Sequence, residues 1–166
     1  MIDIGDLAPD FSLPATWPAK SPSPSDGEAV SPLDRTVSLA QFLQKTDVLV
    51  LFYPLDWSPV CSSEHIKCTS MFPTYSSRIQ VLGISVDSIW SHQAFARAHH
   101  IPYPLLSDFH PLGAVARQYG VYLSGFGFAA RTAFLVDKAG RVKLALRAAV
   151  PDERDLESVL GDGPCQ

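Results

Sequence analysis

Cys61 closes the string Pro54-Leu-Asp-Trp-Ser58-Pro-Val-Cys61, directly behind the uninterrupted apolar run Val48 to Tyr53. A thiol is a nucleophile only as its anion, and a free cysteine with pKa about 8.5 is only a few per cent ionised at pH 7. Lowering that value to about 6 would raise the thiolate fraction about thirty-fold, partly offset because nucleophilicity falls with basicity. The local sequence offers a way to do it. Ser58-Pro59 has the form of a helix start, a hydroxyl at the N-cap followed by proline at the first helical position. Cys61 is then the third helical residue, where a side chain meets unpaired backbone N–H groups and the positive end of the helix dipole. Ionisation alone makes a modest catalyst. A fast reaction also needs groups that hold the attacked molecule and stabilise charge on the departing atom. Ser58, one turn before Cys61, is placed to hydrogen-bond sulfur and substrate, and a cation from elsewhere in the fold is required.

The elements that must carry these groups follow from the pattern. VLVLFY has no polar residue and is rich in β-branched and aromatic side chains, as in a strand covered on both faces, and Pro54 ends it. Val81 to Val86 reads as a second strand. Ser88 caps a helix to about His99 whose inward face would be Trp90, Ala94, Phe95 and Ala98. Leu105-Leu106 is a brief strand, and His110-Pro111 opens a helix to Tyr119 that Gly120 stops. Thr132 to Val136 and Arg141 to Leu146 flank Lys138-Ala-Gly140 as a hairpin, and Asp152 to Leu160 forms a last helix. Strands alternating with helices, then a hairpin and a helix, give an α/β fold with a central mixed β-sheet flanked by helices on both faces. One domain spans residues 1–166. From Pro14 to Pro32 the chain is dense in Pro and Ser, with too few apolar residues to pack, and reads as a loop insertion. Residues 161–166 form a flexible tail.

Proline, then Ser or Thr four positions on, then Cys three further, at the end of a buried strand, resembles the active-site motif of the peroxiredoxins, here as Pro54, Ser58 and Cys61. APDFSLP near the start, VLGISVDS from Val81 to Ser88 and PLLSD from Pro104 to Asp108 are similar in order and spacing, so the resemblance covers nearly the whole chain. It implies a thioredoxin-like fold and reduction of hydrogen peroxide or small organic hydroperoxides. It also nominates the cation as Arg131, a few residues before the FxxD strand Phe134-Leu-Val-Asp137, and Glu64 as the acidic residue that orients it. Cys61 would attack the terminal peroxide oxygen and become a sulfenic acid, Arg131 and Ser58 would hold the peroxide in line, and Pro54 would shield the sulfur from water. Neither metal nor flavin is needed.

A sulfenic acid must be resolved by another thiol. Cys68 lies seven residues after Cys61. Along an intact helix their Cα atoms are about 10.5 Å apart, beyond the roughly 7 Å limit for a disulfide. Peroxiredoxins that unwind this helix place the resolving Cys five residues on, where this chain has Ile66, so Cys68 is either a resolving thiol or a buried structural one. Cys165, in GDGPCQ, is either a resolving thiol or idle. If neither resolves, an external thiol such as a thioredoxin, glutaredoxin or mycothiol-linked protein reduces the sulfenic acid directly. The aromatic and glycine stretch Tyr122 to Phe128, with Trp57, either fills the core or lies at the active-site rim and contributes to a homodimer interface, as the corresponding loops do in similar proteins.

With 17 acidic and 13 basic residues, the net charge of −4 argues against nucleic acid or an anionic membrane as partner. No transmembrane run is present, and MIDIGDLAPDF has neither a basic nor an apolar leader region, so no signal peptide is expected. Three cysteines without framework spacing indicate a reducing compartment, taken as the cytoplasm. The five histidines show no metal-ligand spacing and are expected at the surface. A competing function is a redox-sensing or holdase module without catalysis, which a complete Pro54, Ser58, Cys61 and Arg131 set disfavours. A thioredoxin-type oxidoreductase would need a CxxC, and none is present.

Overall fold

Alternate residues of one strand build two separate cores. The computed structural model describes residues 1–16 and 31–161, and in it strand β3 (Asp47–Phe52) runs through the centre of the molecule. Val48, Val50 and Phe52 face one cluster of buried side chains, while Leu49, Leu51 and Tyr53 face another. All six are fully buried, each contributing roughly 1.5–3 kcal/mol as a large apolar side chain, which is why the run carries no polar residue.

Before β3 come β1 (Ser12–Pro14) and β2 (Thr36–Ser38), an antiparallel pair outside the main sheet. After it follow α1 (Pro59–Ser70), α2 (Phe72–Tyr75), β4 (Ile79–Ser85), α3 (Ile89–Ala98), β5 (Leu105–Ser107) and α4 (Ala114–Gln118). The chain ends with β6 (Tyr122–Leu123), β7 (Phe128–Ala129), β8 (Thr132–Val136), β9 (Val142–Arg147) and α5 (Glu157–Leu160). The five-stranded sheet has the order β5-β4-β3-β8-β9. β3, β4 and β5 are parallel, and β8 pairs antiparallel with both β3 and β9. The β1–β2 pair and α4 cover one face, with Phe11, Leu13, Val37 and Val115 in that core. The other face takes α1, α2, α3 and α5 through Cys61, Cys68, Tyr75, Phe95 and Leu160. This is the expected thioredoxin-like arrangement, a mixed sheet with helices on both faces.

Four expectations need correction. The inward face of α3 is Ile89, His92 and Phe95, while Trp90, Ala94 and Ala98 are exposed. A charged-type residue on the buried face shifts the apparent apolar stripe, and only its tertiary partners reveal it. His92 and His65 are thus core residues at 0% and 1% exposure, contrary to the surface placement expected of them. The helix expected from His110 begins only at Ala114, after Gly113 at φ +66, because the Asp108 carboxylate accepts from the Val115 and Ala116 N–H groups and sets the start there. The helix expected over 152–160 is confined to Glu157–Leu160, because residues 153–156 take no regular form where Arg154 reaches into the molecule. The Pro/Ser-rich insertion falls largely on residues 17–30, and the tail with Cys165 on 162–166, outside the described residues.

Candidate active site

The antiparallel pairing of β3 and β8 sets Phe52 opposite Thr132, so the end of one strand meets the beginning of the other. Cys61 follows the first by one loop and Arg131 immediately precedes the second. Sequence positions seventy residues apart therefore converge at one end of the sheet.

The loop hands over to α1 as its residues dictate. Ser58 is the N-cap with extended backbone, Pro59 occupies the first helical position, and the Ser58 Oγ accepts from the Cys61 N–H at 3.4 Å. Cys61 is thus the third helical residue, and its side chain is fully buried. Pro54, the second residue after β3, is buried as well.

Arg131 brings its Nη2 to 3.4 Å from the Cys61 Sγ. Three other bonds aim the guanidinium. Nη1 donates to Glu64 Oε2 at 2.6 Å, and Nε and Nη2 donate to the Val150 carbonyl at 3.1 and 2.9 Å. Glu64, three residues after Cys61 and so on the same side of α1, is itself held by Arg154. The Arg154 N–H and Nε donate to Oε1 at 2.7 and 3.0 Å, and Nη2 donates to Oε2 at 2.8 Å. Arg154 Nη1 is tied to the Phe52 carbonyl at 2.6 Å. Burial pushes the Glu64 carboxyl up, but the hydrogen bonds and charge of Arg154, with the charge of Arg131, outweigh it and hold the carboxyl below its ordinary value.

Arg131, Arg154 and Glu64 are 1%, 6% and 1% exposed. Two guanidiniums and one carboxylate leave one positive charge uncompensated in a site without water to screen it. The group facing that charge is the Cys61 sulfur, and a thiolate there would bring the cluster to neutrality. The arrangement can therefore hold an anionic sulfur with a fixed cation beside it, and a hydroxyl on Ser58 that remains a donor after accepting from Cys61.

The structure brings together Cys61, Ser58, Glu64 and Arg131, with Pro54 in the adjoining loop. Cys68 does not join them. It lies two turns further along the unbroken helix α1, fully buried, with the Tyr75 O–H donating to its carbonyl at 3.1 Å, and burial pushes its thiol up to about 12. Cys165 lies outside the described residues. Sequence reasoning missed Arg154 and the Val150 carbonyl. No local spacing marks either one, since Arg154 meets Glu64 across 90 positions.

Of the aromatic side chains at Trp57 and along Tyr122 to Phe128, Trp57 is 52% and Phe126 71% exposed, and Phe126 stacks on Phe128 at 5.5 Å between centroids. Among the described residues, no helix is long and apolar enough to cross a membrane.

Residues 4–145 match the AhpC/TSA family. The chain is 30% identical over 156 residues to alkyl hydroperoxide reductase E of Mycobacterium tuberculosis, covering 93% of this chain and 92% of that protein. It is 29% identical over 148 residues to the chloroplastic 2-Cys peroxiredoxin BAS1 of Hordeum vulgare, covering 84% of this chain and 63% of the barley protein. Mycobacterium tuberculosis AhpC superposes with a TM-score of 0.80 at 26% identity, over 99% of this chain and 97% of the other.

Proposed function

The chain belongs to the AhpC/TSA family and is a thiol-dependent peroxidase, and from that premise we propose that Cys61 is the peroxidatic cysteine, with Arg131, Ser58, Pro54 and Glu64 as the residues that make it so. The observation that carries this reading is the 3.4 Å approach of Arg131 Nη2 to the Cys61 Sγ inside a buried cluster with one unbalanced positive charge.

The Cys61 thiolate attacks the terminal oxygen of a hydroperoxide. The O–O bond breaks, sulfur is oxidised by two electrons to sulfenic acid, and the other oxygen leaves as hydroxide or alkoxide and takes a proton from water. Arg131 stabilises the charge on the departing oxygen, and a preorganised donor of this kind is worth about 10²–10³ in rate. Ser58 donates its O–H to the bound peroxide. Pro54 keeps water off the sulfur, and Glu64, gripped by Arg154, fixes the angle of Arg131.

A one-cysteine cycle follows. An external thiol attacks the sulfenic sulfur, water departs, a mixed disulfide forms, and a second thiol restores Cys61. The burial of Cys68, its raised pKa and its place two turns along the same helix support its reading as a core thiol. Because Cys61 is fully buried, the reductant reaches it only when the first turn of α1 opens. The exposed Trp57 and Phe126 support a homodimer with this rim at the interface, and the protein works in the cytoplasm with a thioredoxin- or glutaredoxin-type reductant. Mass spectrometry after one equivalent of peroxide tests the cycle in the wild type and in Cys68→Ser and Cys165→Ser. Sulfenic acid in all three is expected, and a Cys61 disulfide lost in one variant would instead identify a resolving partner.

A further inference from the structure

Trp57, the residue before Ser58, is held at φ +67, in the left-handed region that a bulky side chain rarely adopts. A conformation of that kind persists only when its surroundings over-determine it. Its neighbour Asp56, 5% exposed, supplies the restraint. The Asp56 N–H donates to Asp87 Oδ2 at 2.8 Å, Oδ1 accepts from the Tyr53 O–H at 2.7 Å, and Oδ2 accepts from Ser91 Oγ at 2.9 Å. The same Oδ2 lies 2.8 Å from His92 Nδ1. The Trp57 indole N–H donates to Ser91 Oγ at 3.2 Å, and its ring meets Phe95 edge-on at 5.2 Å. The loop is thus tied to the end of β3 through Tyr53, to the residues after β4 through Asp87, and to α3 through Ser91 and His92.

His92 is 0% exposed and faces acceptors at both ring nitrogens, the Asp56 carboxylate at Nδ1 and the Leu106 carbonyl, 3.0 Å away, at Nε2. With the Tyr53 hydroxyl also 3.4 Å from Nδ1, the ring is fixed from both sides and cannot turn without breaking its link to Asp56. Burial pushes the Asp56 carboxyl up, but the hydrogen bond and charge of His92, with Tyr53 and Ser91, outweigh it and hold it below its ordinary value. The ligand-type atoms of Asp56, Asp87 and His92 all lie within 4.8 Å of one another. Hydrogen bonds within the protein already engage all three side chains, and these bonds hold the loop.

We infer that Asp56 and His92 are positioning residues for peroxide reduction: their buried, hydrogen-bonded contact fixes the Trp57 turn and thereby holds Ser58 over the first turn of α1, against the Cys61 N–H. The inference rests on Cys61 being the attacking thiol. A 1 Å misplacement of a catalytic group can cost about a hundred-fold in rate, so a partial loosening of this loop is expected to cost about ten-fold.

The test measures the second-order rate of Cys61 oxidation by hydrogen peroxide and the amide exchange of Val60, Cys61 and Ser62. The variants are Asp56→Asn, His92→Gln, the double variant, and Ser91→Ala as a milder change. Asp56→Asn and His92→Gln are each expected to slow oxidation about ten-fold, with the double variant no slower than the worse single one, because both act through one pair. Ser91→Ala is expected to slow it about three-fold, since it removes the hydroxyl that donates to Asp56 and accepts from the Trp57 indole but leaves the Asp56–His92 contact in place. Exchange at the three amides is expected to rise, with amides of β3 and β8 unchanged. Oxidation within two-fold of wild type in His92→Gln and Ser91→Ala would overturn the inference, as would single effects that multiply in the double variant or rate losses that track the global unfolding midpoint. Failure of the site reading is separately visible, since Cys61→Ser would then keep turning over peroxide.

Discussion

Arg131 lies with its Nη2 3.4 Å from the Cys61 sulfur, and neither side chain is more than 1% exposed. A fixed cation in contact with a thiol, where solvent cannot screen either, is the relationship from which the proposed reactivity of Cys61 derives. Arg131→Lys keeps the charge but loses the planar fork that reaches Glu64, Val150 and Cys61 together. A fall in kcat/KM for hydrogen peroxide of about a hundred-fold is expected, read by stopped-flow oxidation.

Glu64→Gln removes the carboxylate between two guanidiniums and leaves buried charge unpaired. Breaking such a pair costs about 3–5 kcal/mol, so a clear drop in the urea midpoint is expected together with slower oxidation of Cys61.

The acid limb of stability carries the same signature. Glu64 has a folded pKa below its unfolded value of about 4.3, so its contribution is present above that pH and is lost as pH falls through the folded value. Urea unfolding between about pH 5 and pH 2 is expected to steepen in the wild type and to flatten in Glu64→Gln. An unchanged slope would contradict the pairing.

Ser58→Ala removes the cap of α1 and is expected to cost about 1 kcal/mol of stability as well as slowing oxidation. Ser58→Thr retains the hydroxyl and is expected to recover most of both, as measured by thermal unfolding and peroxide kinetics.

At pH 7 Cys68 is expected to resist iodoacetamide in the folded protein, because burial holds its thiol near 12 and no solvent reaches it. Peptide mapping after alkylation checks this. Rapid labelling of Cys68 would argue that α1 opens beyond its first turns.

Much of this site was legible because its parts are local. The apolar run ending at Tyr53, the Ser58-Pro59 helix start and the place of Cys61 three residues in depend on neighbours a few positions apart, and β3 and α1 form where those signals lie. What stayed hidden depends on distant partners. The sequence pattern puts Arg154 inside a helix over 152–160, although its backbone N–H is given over to Glu64. Apolar periodicity treats a buried histidine as polar, so it turns the inner face of α3 toward Trp90, Ala94 and Ala98 and away from His92. Asp56, across 36 positions, together with the Leu106 carbonyl explains why His92 is inside.

The most direct measurement is steady-state consumption of hydrogen peroxide by Cys61→Ser with a thiol reductant present. No turnover above the protein-free rate is expected, with the fold retained by circular dichroism. Turnover near the wild-type rate would mean that the sulfur beside Arg131 is not the one that attacks the peroxide.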